Sequence, residues 1–334
     1  MKLPAFERTH MLTPTRKERL TSRPVVVLLL FLVVMAAAEF ARAVIQVLGM
    51  LFIPNSLTGS NQMLIALFAT VGTVAAVLLY CLLIERRDLR SLGLCRRGAV
   101  AEYAIGLAGG LVLFGAPVLL CAAMGALRLF PAAQMPSIGL LLLFFAGFLI
   151  QGMSEELLCR SYLMVSLSRR WPLWACALTN ALLFSLLHLG NPDVSVIALV
   201  NIFLFGLFAS ILTLRRGSVW MVGALHSMWN FAQGNLFGIP VSGLRGSPSP
   251  LESEFVPGTW QTLLNGGDFG LEGGLAVTLA LLVGCAVLLL IPTKSAERAQ
   301  PVPVHATGPA EESLAEEVTA PKPCAEGTDP EDHA

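Results

Sequence analysis

Three short stretches of this chain place polar side chains inside apolar surroundings. "EELLCR" runs from Glu155 to Arg160, "FSLLH" from Phe184 to His188, and "HSMWN" from His226 to Asn230. An ionised side chain in hydrocarbon costs roughly 3 kcal/mol or more, so each stretch is a candidate functional site. Glu156 and Arg160 are four residues apart, a spacing that lets them pair on one helical face. Glu155 is rotated by about 100° from Glu156 and is not satisfied by that arginine in the same way. One carboxylate therefore has a structural partner while its neighbour stays available. Phe184 with His188, and His226 with Asn230, share the same i, i+4 spacing. A single histidine in such a helix is more often an interhelical hydrogen-bonding group than a catalyst. The joint placement is what points to chemistry.

Two chemistries suit the set. A carboxylate taken out of water becomes a usable general base near neutral pH. It could deprotonate a trapped water for attack on a peptide carbonyl, with histidine and asparagine N–H groups holding the developing oxyanion, a contribution of about 3–4 kcal/mol per donor. Alternatively Glu155, His188 and His226 could form a hydrolytic Zn2+ site with its fourth position left for water. No HExxH occurs, so such a site would be assembled across helices; spacing does not choose between the two. Glu39 and Arg42, three apart in another apolar run, can neutralise each other. They read as helix glue and are left out of the site.

The elements that must position these groups are membrane helices. The chain is 55% hydrophobic and 13% charged, against about 25% charged for a soluble domain. Its mean hydropathy is +0.72. Several nearly charge-free windows are long enough to cross a bilayer core, which predicts an all-α, polytopic membrane protein. Apolar runs predict eight spans, roughly 25–52, 63–84, 101–126, 138–165, 173–190, 194–214, 218–238 and 271–292. The first begins only at Pro24 and is too long for a signal-peptide core; it reads as a retained span. The fourth and fifth form a hairpin turning near Trp171, 16 residues after Glu155 and 17 before His188, so these side chains stand at similar heights. His226 lies 10 residues past Arg216, about 15 Å into the membrane. A carboxylate and two imidazoles can then converge in one cavity, provided the helices tilt or protrude, because simple hairpin geometry leaves His188 deeper than His226.

Charge sets the orientation. Eighteen of the 22 Lys and Arg residues fall in segments on the side of the N-terminus, and the opposite loops hold only Arg128 and Arg245. The positive-inside rule then predicts both termini in the cytoplasm of a multi-pass protein, in the cell (inner) membrane. Residues 1–24 form a basic cytoplasmic segment, and 25–292 the helical domain with its core at about 137–238. A Gly/Pro-rich loop at 239–270 faces outward. The Pro-, Ala- and Glu-rich residues 293–334 are expected to be a disordered, acidic cytoplasmic tail. A formal net charge of zero gives no reason to expect a nucleic-acid partner, and no nucleotide-binding fingerprint is present. The seven cysteines contain no CxxC pair and read as small buried hydrophobes.

In this order, on separate apolar helices, EExxxR (Glu155, Glu156, Arg160), FxxxH (Phe184, His188) and HxxxN (His226, Asn230) resemble the CPBP intramembrane proteases. These comprise the type II CAAX prenyl endopeptidases, related to the Ras-converting enzyme, and bacterial Abi-like proteins. The likeness covers roughly 80–240 and includes "LRSLGL" and "FLFGLFASILTLRRGSVWMVGALH". The resemblance implies that Glu155 activates water while Glu156 and Arg160 support it. His188 and Asn230 would stabilise the oxyanion, and His226 would orient water or substrate. The family is described both as metalloprotease and as metal-independent glutamate protease, so metal use stays open. The expected partners are the lipid bilayer and a membrane-associated or lipidated peptide. Rival readings are a non-catalytic scaffold or bacteriocin-immunity-type protein, and a proton-coupled transporter. The transporter predicts paired halves with broken helices, which the sequence lacks.

Overall fold

A computed structural model describes residues 9–13, 23–55, 59–95 and 98–291. The acidic tail and most of the basic N-terminal segment lie outside the described residues. Helices dominate: α1 (Pro24–Phe52), α2 (Gly59–Ile84), α3 (Ala99–Ala123), α4 (Ile138–Leu167), α5 (Leu173–Leu186), α6 (Val196–Arg216), α7 (Trp220–Phe231), the short α8 (Thr259–Asn265) and α9 (Leu275–Leu290). The fold is that of an all-α polytopic membrane protein, with apolar helical segments at all eight expected places. Five of them, α1, α2, α3, α4 and α6, are long and apolar enough to cross a membrane. α5 and α9, with 14 and 16 residues, rise only about 21 and 24 Å, short of a hydrocarbon core of about 30 Å. The other three, α5, α7 and α9, are shorter apolar helices packed among them.

Local chemistry sets the helix ends. Pro24 opens α1, where its missing N–H is no loss. Ser137 and Ser195 cap α4 and α6 by accepting from Leu140 N and Ala198 N at 3.2 and 3.1 Å. Gly217 closes α6 at φ 63°, a conformation that suits glycine. Wide turns with i→i+5 bonding end α2 (Tyr80–Ile84), run through α4 (Leu157–Met164) and extend α7 (Ala232–Leu236).

Packing follows a series of neighbours: α1 on α2, α2 on α4, α4 on α7, α7 on α3, α3 on α9, α9 on α6, and α6 on α5. Small residues let the central helix sit close. A Cβ on Gly106 or Gly110 would lie 2.2 or 2.3 Å from the carbonyl oxygen of Met221 or Leu225, and one on Gly152 would meet Ser227 Oγ at 2.5 Å. Glycine spaced four apart on α3 thus seats α7, a familiar device where lipid gives helices no hydrophobic reason to associate.

The two ends of the bundle differ. At one end the α2–α3 connection, the α4–α5 turn and the α6–α7 turn gather, tied by Val219 N to Gly93 O at 3.1 Å and Trp220 Nε1 to Cys95 O at 2.8 Å. Arg87 Nη2 donates to Ser161 O at 2.7 Å. At the other end β1 (Leu127–Pro131) pairs antiparallel with β2 (Leu251–Phe255), Leu127 opposite Phe255. This pairing of two strands distant in sequence was not expected. The Gly/Pro-rich loop supplies β2 and α8 and folds back onto the helices rather than standing off as an open loop.

Candidate active site

α4 brings the carboxylates. Glu156 and Arg160 are both fully buried, and Arg160 Nη1 donates to Glu156 Oε1 at 3.1 Å. Arg160 Nη2 reaches across to Gly206 O on α6 at 3.2 Å, and its Cζ stands 4.5 Å above the Phe184 ring. The motif phenylalanine thus covers the buried cation. Glu155 points elsewhere. Its side chain is 31% exposed and lines a cavity of about 500 Å3. Gln151 Nε2 donates to Glu155 Oε1 at 2.6 Å. Glu155 Oε2 is buried without a hydrogen-bonding partner, 3.7 Å from His226 Nε2.

α7 supplies the facing groups. His226 Nδ1 lies 2.8 Å from Glu156 Oε1. A carboxylate accepts, so Nδ1 carries the proton, and the ring turns Nε2 toward Glu155. Phe205 on α6 packs edge-on against this ring, with centroids 4.9 Å apart. Asn230, one turn along, donates from Nδ2 to Gln151 Oε1 at 2.9 Å. Gln151 therefore bridges Glu155 and Asn230.

His188 requires a correction. The fifth span was expected to run to residue 190, but α5 ends at Leu186 and His188 sits in the turn beyond it, its N–H bonded to Ser185 O at 3.0 Å. The continuing apolar run hid the stop, which precedes Gly190 and Pro192. The ring still returns to the helix, with Nδ1 2.8 Å from Phe184 O. A carbonyl only accepts, so Nδ1 carries the proton of this contact.

Glu155, Phe184, His188, His226 and Asn230 all line the one cavity, and Glu156 and Arg160 are sealed behind it. Among the described residues no three His, Cys, Asp or Glu side chains gather closely enough to hold a metal ion. Of the expected trio of Glu155, His188 and His226, His226 bonds Glu156 through Nδ1 and turns Nε2 toward Glu155, and His188 stands on the turn after α5.

Several cavity residues carried no sequence signal. Gln151 ended an apolar run; in hindsight its place four residues before Glu155 was informative. Glu272 lies in the Gly-rich loop, where it accepts from Ser242 N and Oγ at 2.7 and 2.8 Å, from Gln233 Nε2 at 3.2 Å and from Trp229 Nε1 at 3.3 Å. It fastens the loop over the cavity. Glu39 and Arg42, set aside as helix glue, also line the wall.

Known proteins share this arrangement of helices in sequence. Residues 137–232 match the family described as type II CAAX prenyl endopeptidase Rce1-like. The chain belongs to the Rce1-like family. The Rce1-like match begins at Ser137, the cap of α4, and ends in the wide turn after Phe231, so it holds all seven motif residues and leaves α1, α2 and α3 outside. An Escherichia coli protein named "Uncharacterized 24.3 kDa protein" is 30% identical over 184 residues, which cover 52% of this chain and 81% of that protein. No solved structure matches. At the level of the family, this is an integral multi-pass protein of CAAX-type intramembrane protease kind, living in a lipid bilayer.

Proposed function

We propose that the chain is an intramembrane endopeptidase that hydrolyses a peptide bond of a membrane-associated or lipidated peptide with water activated by Glu155. The observation that carries it is the buried, unpartnered Glu155 Oε2 facing His226 Nε2 at 3.7 Å. That separation is too long for a hydrogen bond and suits a water touching both. The water gives one proton to Glu155 while its second hydrogen is held by His226 Nε2, and its oxygen attacks the peptide carbonyl carbon. The oxyanion takes hydrogen bonds from Asn230 Nδ2 and from the His188 ring. On collapse the C–N bond breaks and Glu155 passes its proton to the departing amine. Glu156 and Arg160 position His226 and do not touch substrate. No step is routed through a metal.

The basic end of the bundle, which holds the α2–α3, α4–α5 and α6–α7 turns, faces the cytoplasm in this scheme. The strand-pair end with Arg128 and Arg245 faces away. The test compares peptide termini in membranes carrying the wild type or Glu155→Gln at matched abundance. Cleaved ends that vanish with Glu155→Gln, a loss of about a thousandfold in turnover, support the scheme. Matching profiles from two folded, abundant proteins would sink it in favour of a non-catalytic scaffold.

A further inference from the structure

The proposed hydrolysis leaves one charged stretch of the cavity wall without a task. Arg42 Nε donates to Glu39 Oε2 at 2.9 Å, and Nη2 bonds the same oxygen. Both side chains line the cavity with Thr70 and Thr73 of α2 and with Glu155 and His188. The position is built in: a Cβ on Gly72 of α2 would lie 2.8 Å from the Arg42 amide nitrogen, so only glycine lets α1 approach this closely. A pair that merely joined helices would be enclosed between them. Here the Arg42 side chain is 40% exposed and that of Glu39 54%, and Arg42 Nη1 has no hydrogen-bonding partner among the described residues.

We propose that Arg42 is a carboxylate-binding subsite of the cavity, held in place by Glu39 until a substrate carboxylate arrives. The inference rests on the peptidase scheme above. A guanidinium presents paired N–H donors that match a carboxylate, and it stays charged at every working pH. In a low-dielectric cavity such a charge-assisted contact is stronger than in water. Glu39 keeps the cation neutralised in the bilayer and occupies only part of its donor set. The cavity, about 500 Å3 and walled by α1, α2, α4, α5, α6, α7 and α9, has room for a few residues rather than a long threaded chain. A peptide bound there can bring a carboxylate from its own C-terminus or from an Asp or Glu side chain near the cut. Either source offers the same chemistry to Arg42.

The experiment uses the full chain in phosphatidylethanolamine/phosphatidylglycerol vesicles and three pools of N-myristoylated decapeptides, randomised over the last four positions. One pool has free C-termini and no Asp or Glu, one is C-terminally amidated and neutral, and one is amidated with a single Asp or Glu. The expected result is kcat/KM about tenfold higher for one acidic pool than for the neutral amides. That ratio falls to about one in Arg42→Gln and partly returns in Arg42→Lys, with melting temperatures confirming folded variants. The favoured acidic pool names the source of the carboxylate. Equal rates on all three pools in the wild type, or a preference that survives Arg42→Gln, would overturn the subsite while leaving the peptidase intact. Photo-crosslinking of the same pools to Glu155→Gln separates the two ideas. If the wild type cuts nothing yet capture of an acidic pool depends on Arg42, the subsite stands and the peptidase scheme falls; without either, both fall.

Discussion

Two Glu/Arg pairs flank the same cavity, one sealed behind its wall and one lining it, and their surroundings make them different devices. On α4, Glu156 and Arg160 are fully enclosed, and each has a further partner, His226 Nδ1 for the glutamate and Gly206 O for the arginine. On α1, Glu39 and Arg42 hold only each other and stay half exposed. Both pairs have a spacing that any helix allows. What separates a fixed support from an available cation is enclosure by other helices, here by α6 and α7 against α4. The sealed pair keeps His226 in one tautomer and one orientation.

The sharpest way to break the comparison is to remove one cation from each wall. Arg160→Ala strands Glu156 in a closed interior and should cost about 3–5 kcal/mol, read as a large fall in melting temperature in detergent. Arg42→Ala should cost no more than about 1 kcal/mol, the range for exposed pairs. Similar losses from both would mean that enclosure does not distinguish them.

A second probe loosens the seal itself. Gly106→Val pushes a side chain into the Met221 carbonyl and forces α3 from α7, at about 1–3 kcal/mol of overpacking. Activity should fall along with the melting temperature, because His226 and Asn230 ride on α7. A melting change without an activity change would show that α7 is held by α4 alone. Gentler still, Gln151→Leu removes the bridge between Glu155 and Asn230 and should lower kcat by about tenfold, with the melting temperature nearly unchanged. An unaltered kcat would show that the two side chains are positioned without Gln151.

What could be read from the sequence was what depends on near neighbours. Apolar runs located the helices, and i, i+4 spacing put Glu156 against Arg160 and left Glu155 on another face. Contacts that close over long stretches of chain were hidden. The loop that Glu272 fastens follows no helical or strand period, and "LRLFP" and "LESEF" are too short to announce that they pair. His188 was named as a cavity residue, but the stop of α5 at Leu186 was masked by the leucines that follow. The Zn2+ reading of Glu155, His188 and His226 rested on residue types, and distances between helices are absent from any sequence. For Arg42, spacing revealed its partner and not the open space beside it.

The wide turns from Leu157 to Met164 have a consequence for how α4 tolerates change in length. Ahead of them Glu155 faces the cavity and Glu156 meets His226 of α7; within them Ser161 meets the α2–α3 connection through its carbonyl to Arg87 and its Oγ to Leu92 O at 2.6 Å. An i→i+5 turn behaves as one residue inserted into an ordinary helix, so this helix carries a slipped phase between its two halves. Deleting one residue within 157–164 would take up that insertion and give the backbone a more regular pitch, whereas adding one would turn the carboxylates by about 100° relative to the docked half. The irregular stretch is thus a gear offset. Its count of residues sets which way the catalytic half faces, while the other half stays anchored at the basic end.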